Sequence, residues 1–199
     1  MKYKNILKIL LIFIFVFSTN SILSQSKQHR NELKEKISQV LDKKKYSDSI
    51  PLLEEYTSKY PEDLFYSLYL AKSYLFREDL ELSNPNFSEI QNIRTNYNKS
   101  LNIFTEKITL LEQKTPDDKI LGEYYFYLGM VEMILGYEER SISKFQKSIH
   151  YEYEKNKSYY NIALIYEKMG NKKDSDRFFK LYNSSISKEK AEGENERKN

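Results

Sequence analysis

Two stretches of this chain align with each other, without a gap, at an offset of 34 residues. One starts at Gly122 (GEYYFYLGMVEMILGYEERSISKFQKSIHY) and the other at Asn156 (NKSYYNIALIYEKMGNKKDSDRFFKLYN). Tyr125 pairs with Tyr159, Leu128 with Ile162, Gly129 with Ala163, Gly136 with Gly170, Ser141 with Ser175 and Phe145 with Phe179. A fixed period of this size is the mark of a repeated supersecondary unit that buries its apolar face only by stacking on its neighbours. Tyr125, Leu128 and Met133 share one face at helical spacing. Gly136 and Gly170 stand where one helix must stop and turn, and glycine accepts the left-handed cap conformation. The small residues at Gly129/Ala163 and Ser141/Ser175 let two helix backbones approach closely, and Phe145 and Phe179 fill the space one turn further on.

This spacing resembles the tetratricopeptide repeat family. That family's unit has an aromatic at its fourth position, a Leu–Gly/Ala pair at the seventh and eighth, and Tyr at the eleventh. Gly follows at the fifteenth, a small residue at the twentieth, an aromatic at the twenty-fourth and often Pro at the thirty-second. Tyr159, Ile162, Ala163, Tyr166, Gly170, Ser175 and Phe179 follow that order. The preceding copy departs at the eleventh position, Glu132, and Met133 is expected to take over its packing role. The resemblance implies an all-α fold: a right-handed superhelical stack of antiparallel helix hairpins, about four repeats long.

Two further copies lie upstream. In residues 30–63, Ser49 falls on the twentieth position, Leu53 replaces the aromatic and Pro61 falls on the thirty-second. The first helix of this copy has Leu33, Ile37, Val40 and Leu41 as its apolar stripe. Pro51 is expected near the first turn of the second helix, where backbone N–H groups have no helical partner anyway. In the copy starting at Leu64, Leu70, Ala71 and Tyr74 match the seventh, eighth and eleventh positions. This copy runs to Leu121, 24 residues over one period. The excess is expected near 80–97, with Asn84, Pro85 and Asn86 punctuating a loop. The second helix then resumes near Asn98 with Leu101, Phe104, Ile108 and Leu111, and Thr115–Pro116–Asp117 closes it. The repeats are thus about 30–63, 64–121, 122–155 and 156–183. Residues 184–199 are nearly all polar or charged and are expected to be a frayed or disordered tail.

Ahead of a short junction at 25–29, residues 1–24 have the order of a secretory signal. Lys2, Lys4 and Lys8 precede the nine-residue apolar run Ile9–Phe17, and a polar stretch ends at Ser24 before Gln25. A bilayer core about 30 Å thick takes roughly 20 helical residues, so this run reads as a leader and the chain as exported, periplasmic or secreted. The other reading keeps residues 6–17 as an uncleaved membrane anchor. Those three lysines account for the whole formal charge of +3. The remaining chain is formally neutral, which removes the electrostatic case for nucleic acid or anionic lipid.

No chemistry is legible. With no cysteine and only His29 and His150 among histidines, the ligand set of a zinc site is missing. Five scattered glycines make no phosphate loop. The pairs Glu54–Glu55, Asp117–Asp118 and Glu138–Glu139 are explained by helix starts and solvated faces. No catalytic residue, metal or cofactor is expected. The chain has 18 Tyr, 11 Phe and no Trp; many of the tyrosines fall on the repeat's packing positions, where the ring fills the wedge and the hydroxyl reaches water or a partner.

In proteins of this family, ligands lie in the concave groove lined by first helices. The resemblance places Phe65, Leu68, Lys72 and Leu75 there in the second copy, Phe126, Met130 and Met133 in the third, and Tyr160 and Leu164 in the last. Methionine-containing apolar grooves suit adaptable binding of peptides or helices. The family's carboxylate clamp is absent in pattern: Tyr69, Tyr127 and Ser38 stand at clamp positions and only Lys34 fits. Periodicity leaves two readings open, a groove that binds or a core that closes on itself. The leading function is a non-catalytic scaffold with a protein or peptide partner. The alternative is an N-terminally anchored structural or regulatory subunit of a cell-envelope complex.

Overall fold

A computed structural model describes residues 25–77, 87–114 and 118–196. The leader reading of residues 1–24, the Asn84–Pro85–Asn86 loop and the Thr115–Pro116–Asp117 closure lie outside the described residues. Eight helices follow in order: α1 over 25–42, α2 Tyr46–Lys59, α3 Leu64–Leu75, α4 Phe87–Gln113, α5 Asp118–Ile134, α6 Glu138–His150, α7 Lys155–Lys168 and α8 Lys172–Glu196. Among the described residues there is no strand. Consecutive helices pack antiparallel, so α1–α2, α3–α4, α5–α6 and α7–α8 form four hairpins, and the fold is the all-α hairpin stack. None of the described helices is long and apolar enough to cross a membrane.

Buried serines mark the close crossings. Ser141 Oγ donates to the Gly129 carbonyl at 2.7 Å, Ser100 Oγ to the Ala71 carbonyl at 2.8 Å, and Ser49 and Ser73 share a bond at 2.7 Å. At the α5–α6 crossing, a Cβ on Gly129 would stand 3.1 Å from the Phe145 ring. Gly136 and Gly170 end their helices at φ +80° and +75°, a conformation that other residues enter at a cost of roughly 1–2 kcal/mol.

The equivalent serine bonds also show where the long second repeat carries its extra residues. The serine lies 29 residues after its carbonyl partner in α3–α4 and 12 after it in α5–α6, so 17 of the 24 extra residues precede Ser100 and 7 follow it. The expected loop over 80–97 is therefore wrong for its second half: α4 begins at Phe87, not near Asn98. The reason is periodic. Ile90, Ile93 and Tyr97 carry the stripe of Leu101, Phe104 and Ile108 backwards at steps of three and four residues. Phe104, fully buried, takes the place that Phe145 takes in the next hairpin.

Three other expectations change. The junction 25–29 is already helical and belongs to α1. Pro51 is the sixth residue of α2, past the first turn, so the helix tolerates its missing N–H rather than hiding it among the unpaired ones. The tail is helical to Glu196; its lysines, glutamates and alanine are strong helix formers that extend a helix already nucleated by packing.

The core is three clusters in series. One joins α1, α2 and α3 around Ile37, Leu53 and Tyr56, one joins α3, α4 and α5 around Phe104, Tyr124 and Val131, and one joins α5 to α8 around Phe145, Ile162 and Ile165. Leu70, Ala71, Tyr74, Tyr125, Leu128, Phe145, Ile162, Ala163, Ser141 and Ser175 are buried, as is Gly129. In the last hairpin Phe178, not Phe179, is buried at 7% exposure. Tyr159, Tyr166 and Phe179 pack only partly against the third cluster, with no further hairpin over them among the described residues. Glu132, not Met133, fills the interior at the eleventh position of the third repeat: it is fully buried and bonded to Arg140.

Tyrosine hydroxyls stitch the hairpins together. Tyr124 donates to the Leu64 carbonyl at 2.6 Å, Tyr56 donates to Asp63 at 2.7 Å, Tyr74 pairs with Glu54, and Tyr125 pairs with Glu112 while accepting from Lys147 at 2.7 Å. Burial, then the Glu112 bond, pushes the Tyr125 hydroxyl up to about 12, and burial first of all also pushes Tyr74, Tyr124 and Tyr153 well up. A raised folded value means that the unfolded chain ionises first. The stabilisation is complete below the ordinary value of about 10 and is lost as pH rises above it. Urea midpoints are expected to fall steeply between about pH 10 and about pH 12. A flat profile would show these hydroxyls to be freely ionisable in the folded chain.

Candidate functional site

The first helices α1, α3, α5 and α7 line one face of the stack. Of the nine residues assigned there from sequence, the structure separates those that pack inside from those that a partner can reach. Leu68 and Leu75, each 4% exposed, belong to the central cluster. Met133 packs against the third cluster, and Leu164 is half-buried outside the clefts described below. Lys72 is not a free groove cation: its Nζ lies 3.1 Å from Glu123 Oε1 and between the rings of Tyr69 and Tyr127, at 5.0 and 4.5 Å. Burial opposes its charge most strongly, yet Tyr127 and Glu123 together still hold the ammonium above its ordinary value.

Phe126 serves both sides. At 5% exposure it is core, edge-on to Phe145 at 5.7 Å and near Tyr153 at 5.9 Å, while one side of its ring lines a surface cleft. Met130 is half-buried and lines the same cleft. Phe65 and Tyr160 are the two large groove residues that stand out, 57% and 41% exposed. A continuous apolar strip from Phe65 to Leu164 is therefore not what the chain forms. The Lys72–Glu123 bridge and the buried leucines interrupt it.

Two clefts remain. The downstream cleft, about 360 Å³, is walled by Phe76, Phe126, Tyr127, Met130, Lys157, Tyr160, Asn161 and Tyr182. The upstream cleft, about 230 Å³, lies between α1 and α3 and is walled by Ile37, Ser38, Leu41, Asp42, Phe65, Tyr66 and Tyr69. Ring contacts run toward the bridge from both sides: Phe65 to Tyr69 at 4.7 Å, and Tyr127 to Phe76 at 5.7 Å and to Phe126 at 5.3 Å. Tyr160 meets Tyr182 at 5.2 Å.

The first-helix rule of the sequence reading omits Tyr182, which comes from the second helix α8. It reaches this cleft from beside Tyr160, whose ring it meets. Phe76 is likewise omitted, as it lies one residue past the end of α3. The downstream cleft offers aromatic faces and a thioether, with the Asn161 amide and Lys157 ammonium at its edge. These groups suit an apolar side chain with a polar backbone beside it. No group of three or more His, Asp or Glu able to hold a metal ion occurs among the described residues.

No family model and no curated protein matches the chain. Among solved structures it is similar to one described as "Crystal structure of MamA protein", with 16% identity, 81% of this chain and 94% of that chain covered, and a TM-score of 0.44. A second, "MamA MSR-1 C2", has 16% identity, 81% and 98% coverage and a TM-score of 0.43. A third, "MamA 41-end from Desulfovibrio magneticus RS-1", has 13% identity, 78% and 93% coverage and a TM-score of 0.36. Likeness at this level transfers no function.

Proposed function

We propose that this protein is a non-catalytic interaction scaffold of the tetratricopeptide kind, which takes an apolar peptide segment of a protein partner in the downstream cleft between α5, α7 and α8. The observation that carries the reading is the exposed Tyr160, set against Tyr182 over a cleft whose other walls are Phe76, Phe126, Tyr127 and Met130. Large apolar groups gathered at one open site are commonly covered by a partner. The chain is further proposed to work outside the cytoplasm. That reading rests on the Lys-flanked apolar run and polar end of residues 1–24.

The test must spare the core. Phe126→Ser removes a buried ring and is expected to cost about 3–5 kcal/mol, so loss of binding by that variant says nothing about the cleft. Tyr160→Ser changes a residue that is 41% exposed, and its urea midpoint is expected to stay within about 0.5 kcal/mol of the parent. Captured partner, measured by crosslinking from the envelope fraction, is expected to fall at least tenfold with Tyr160→Ser. Full capture by a stably folded Tyr160→Ser protein would remove the cleft from the binding surface.

A further inference from the structure

We infer that the bound segment has two anchors: it is uncharged over its contact length and presents two apolar side chains, one to each cleft, across a bridge that the protein has already neutralised. This rests on the reading of the face as the partner surface, and it states what that partner looks like.

The first ground is the division of the face. Between the clefts Leu68 and Leu75 are buried, and Lys72 is occupied by Glu123 and sandwiched by two tyrosine rings. A ligand gains little apolar contact in the middle. At the ends the reverse holds, for each cleft carries one exposed aromatic, Phe65 or Tyr160. A helix laid along the face with a continuous stripe does not fit this pattern. A segment anchored at both ends does.

The second ground is charge. Lys72 lies 3.1 Å from Glu123 and Lys157 2.9 Å from Glu154, while Lys34 lies 3.8 Å from Asp63, a carboxylate that Arg30 already holds at 3.0 Å. An acidic segment competes with three intramolecular partners, and a basic one meets three ammonium groups. Asp42, at the upstream rim, is exposed beside Lys43, Lys44 and Lys45, so it offers no isolated negative site. The centre and the downstream end of the face are neutralised pair by pair, and their electrostatic complement is an uncharged ligand whose binding is nearly independent of salt. The rings lining both clefts favour an aromatic anchor, in edge-on or offset contact.

The probes are end-capped peptides carrying two Phe residues separated by about two to about twelve Ser-Gly residues, a range that spans extended lengths by the reach of about 3.3–3.6 Å per residue. Single-Phe peptides of equal length are the controls. They are titrated into the isotope-labelled full chain, with amide shifts read at both clefts. The expected result is an optimal spacing at which the two-Phe peptide perturbs both clefts and binds at least tenfold more tightly than its control. Phe65→Ser or Tyr160→Ser each returns it to the control value, and affinity changes less than about twofold on raising salt to about 0.5 M. If the second Phe adds nothing and only the downstream cleft responds, the two-anchor inference fails and the cleft reading stands. If neither cleft responds to any peptide, the cleft reading itself fails. If a peptide of the optimal spacing with Asp or Lys placed between its two Phe residues binds more tightly than the uncharged one, the segment is charged and the inference is overturned.

Discussion

Replacing Gly122 by valine is expected to cost about 3 kcal/mol, although Gly122 carries no side chain of its own and touches no cleft. A Cβ at this position would stand 2.7 Å from the Cβ of Tyr153 and 2.9 Å from that of Tyr151. Cβ atoms cannot rotate away, so relief requires backbone movement of the turn between α6 and α7. That turn is held: Ser148 Oγ donates to the Tyr153 carbonyl at 2.8 Å, and the Tyr153 N–H returns to the Ser148 carbonyl at 3.0 Å. Glu152 and Glu154 within it already carry positive φ, at 57° and 43°. Gly122→Ala is the milder probe, since alanine regains about 1 kcal/mol of helix propensity. Gly129 offers a contrast. Its close neighbour is the Phe145 ring, which can tilt, so Gly129→Ala is expected to cost less than Gly122→Val. Urea midpoints of the three variants check the order, and an unchanged midpoint for Gly122→Val would mean that the α5 start does not abut this turn.

Arg140→Ala is expected to destabilise the fold by about 2–4 kcal/mol, because it strands a carboxylate in the interior. The Glu132 side chain is fully buried, and its Oε1 accepts from Arg140 Nε at 3.0 Å and Nη2 at 2.6 Å. Its Oε2 has no hydrogen-bond partner among the described residues. The arginine itself is 57% exposed, which places the loss toward the low end of what breaking a buried pair costs. Glu132→Leu removes the desolvated group and is expected to be neutral or stabilising. The double variant Glu132→Leu with Arg140→Ala should then lie close to the parent. Denaturation of all four proteins gives the coupling between the two sites. An additive result would show that the pair does not interact in the folded chain.

The turns were legible in the sequence because they are local. Gly136 and Gly170 announce their left-handed caps without knowledge of any other part of the chain. The start of α4 was obscured by Asn84, Pro85 and Asn86, strong punctuation that masked the weaker Ile90–Ile93–Tyr97 period following it. Glu132 misled for a different reason. Its charge argued against burial at the eleventh position, which Tyr74 and Tyr166 hold in other copies, and its partner Arg140 lies in the next helix. The groove was the least legible part. Whether Leu68 faces a ligand or a neighbouring helix depends on how α3 meets α4 and α5. The bridge that divides the face joins residues 51 positions apart. Tyr182 enters the site from a second helix, through its contact with Tyr160, a placement that the first-helix pattern does not encode.

The three core clusters share members at their seams. Ile103 packs against both the first and the central cluster, and Tyr127 and Met130 pack against both the central one and the last. Such a chain opens like a zip rather than all at once, since each hairpin holds mainly to its neighbours. Among the described residues the α7–α8 hairpin, like α1–α2, has a neighbouring hairpin on one side only. The downstream cleft straddles that seam, with Phe126, Tyr127 and Met130 on the inner hairpin and Tyr160 and Tyr182 on the outer. A segment seated there would clasp the outer hairpin to the body of the stack. Occupancy of the cleft would then be readable as slower amide exchange across the whole of α7 and α8.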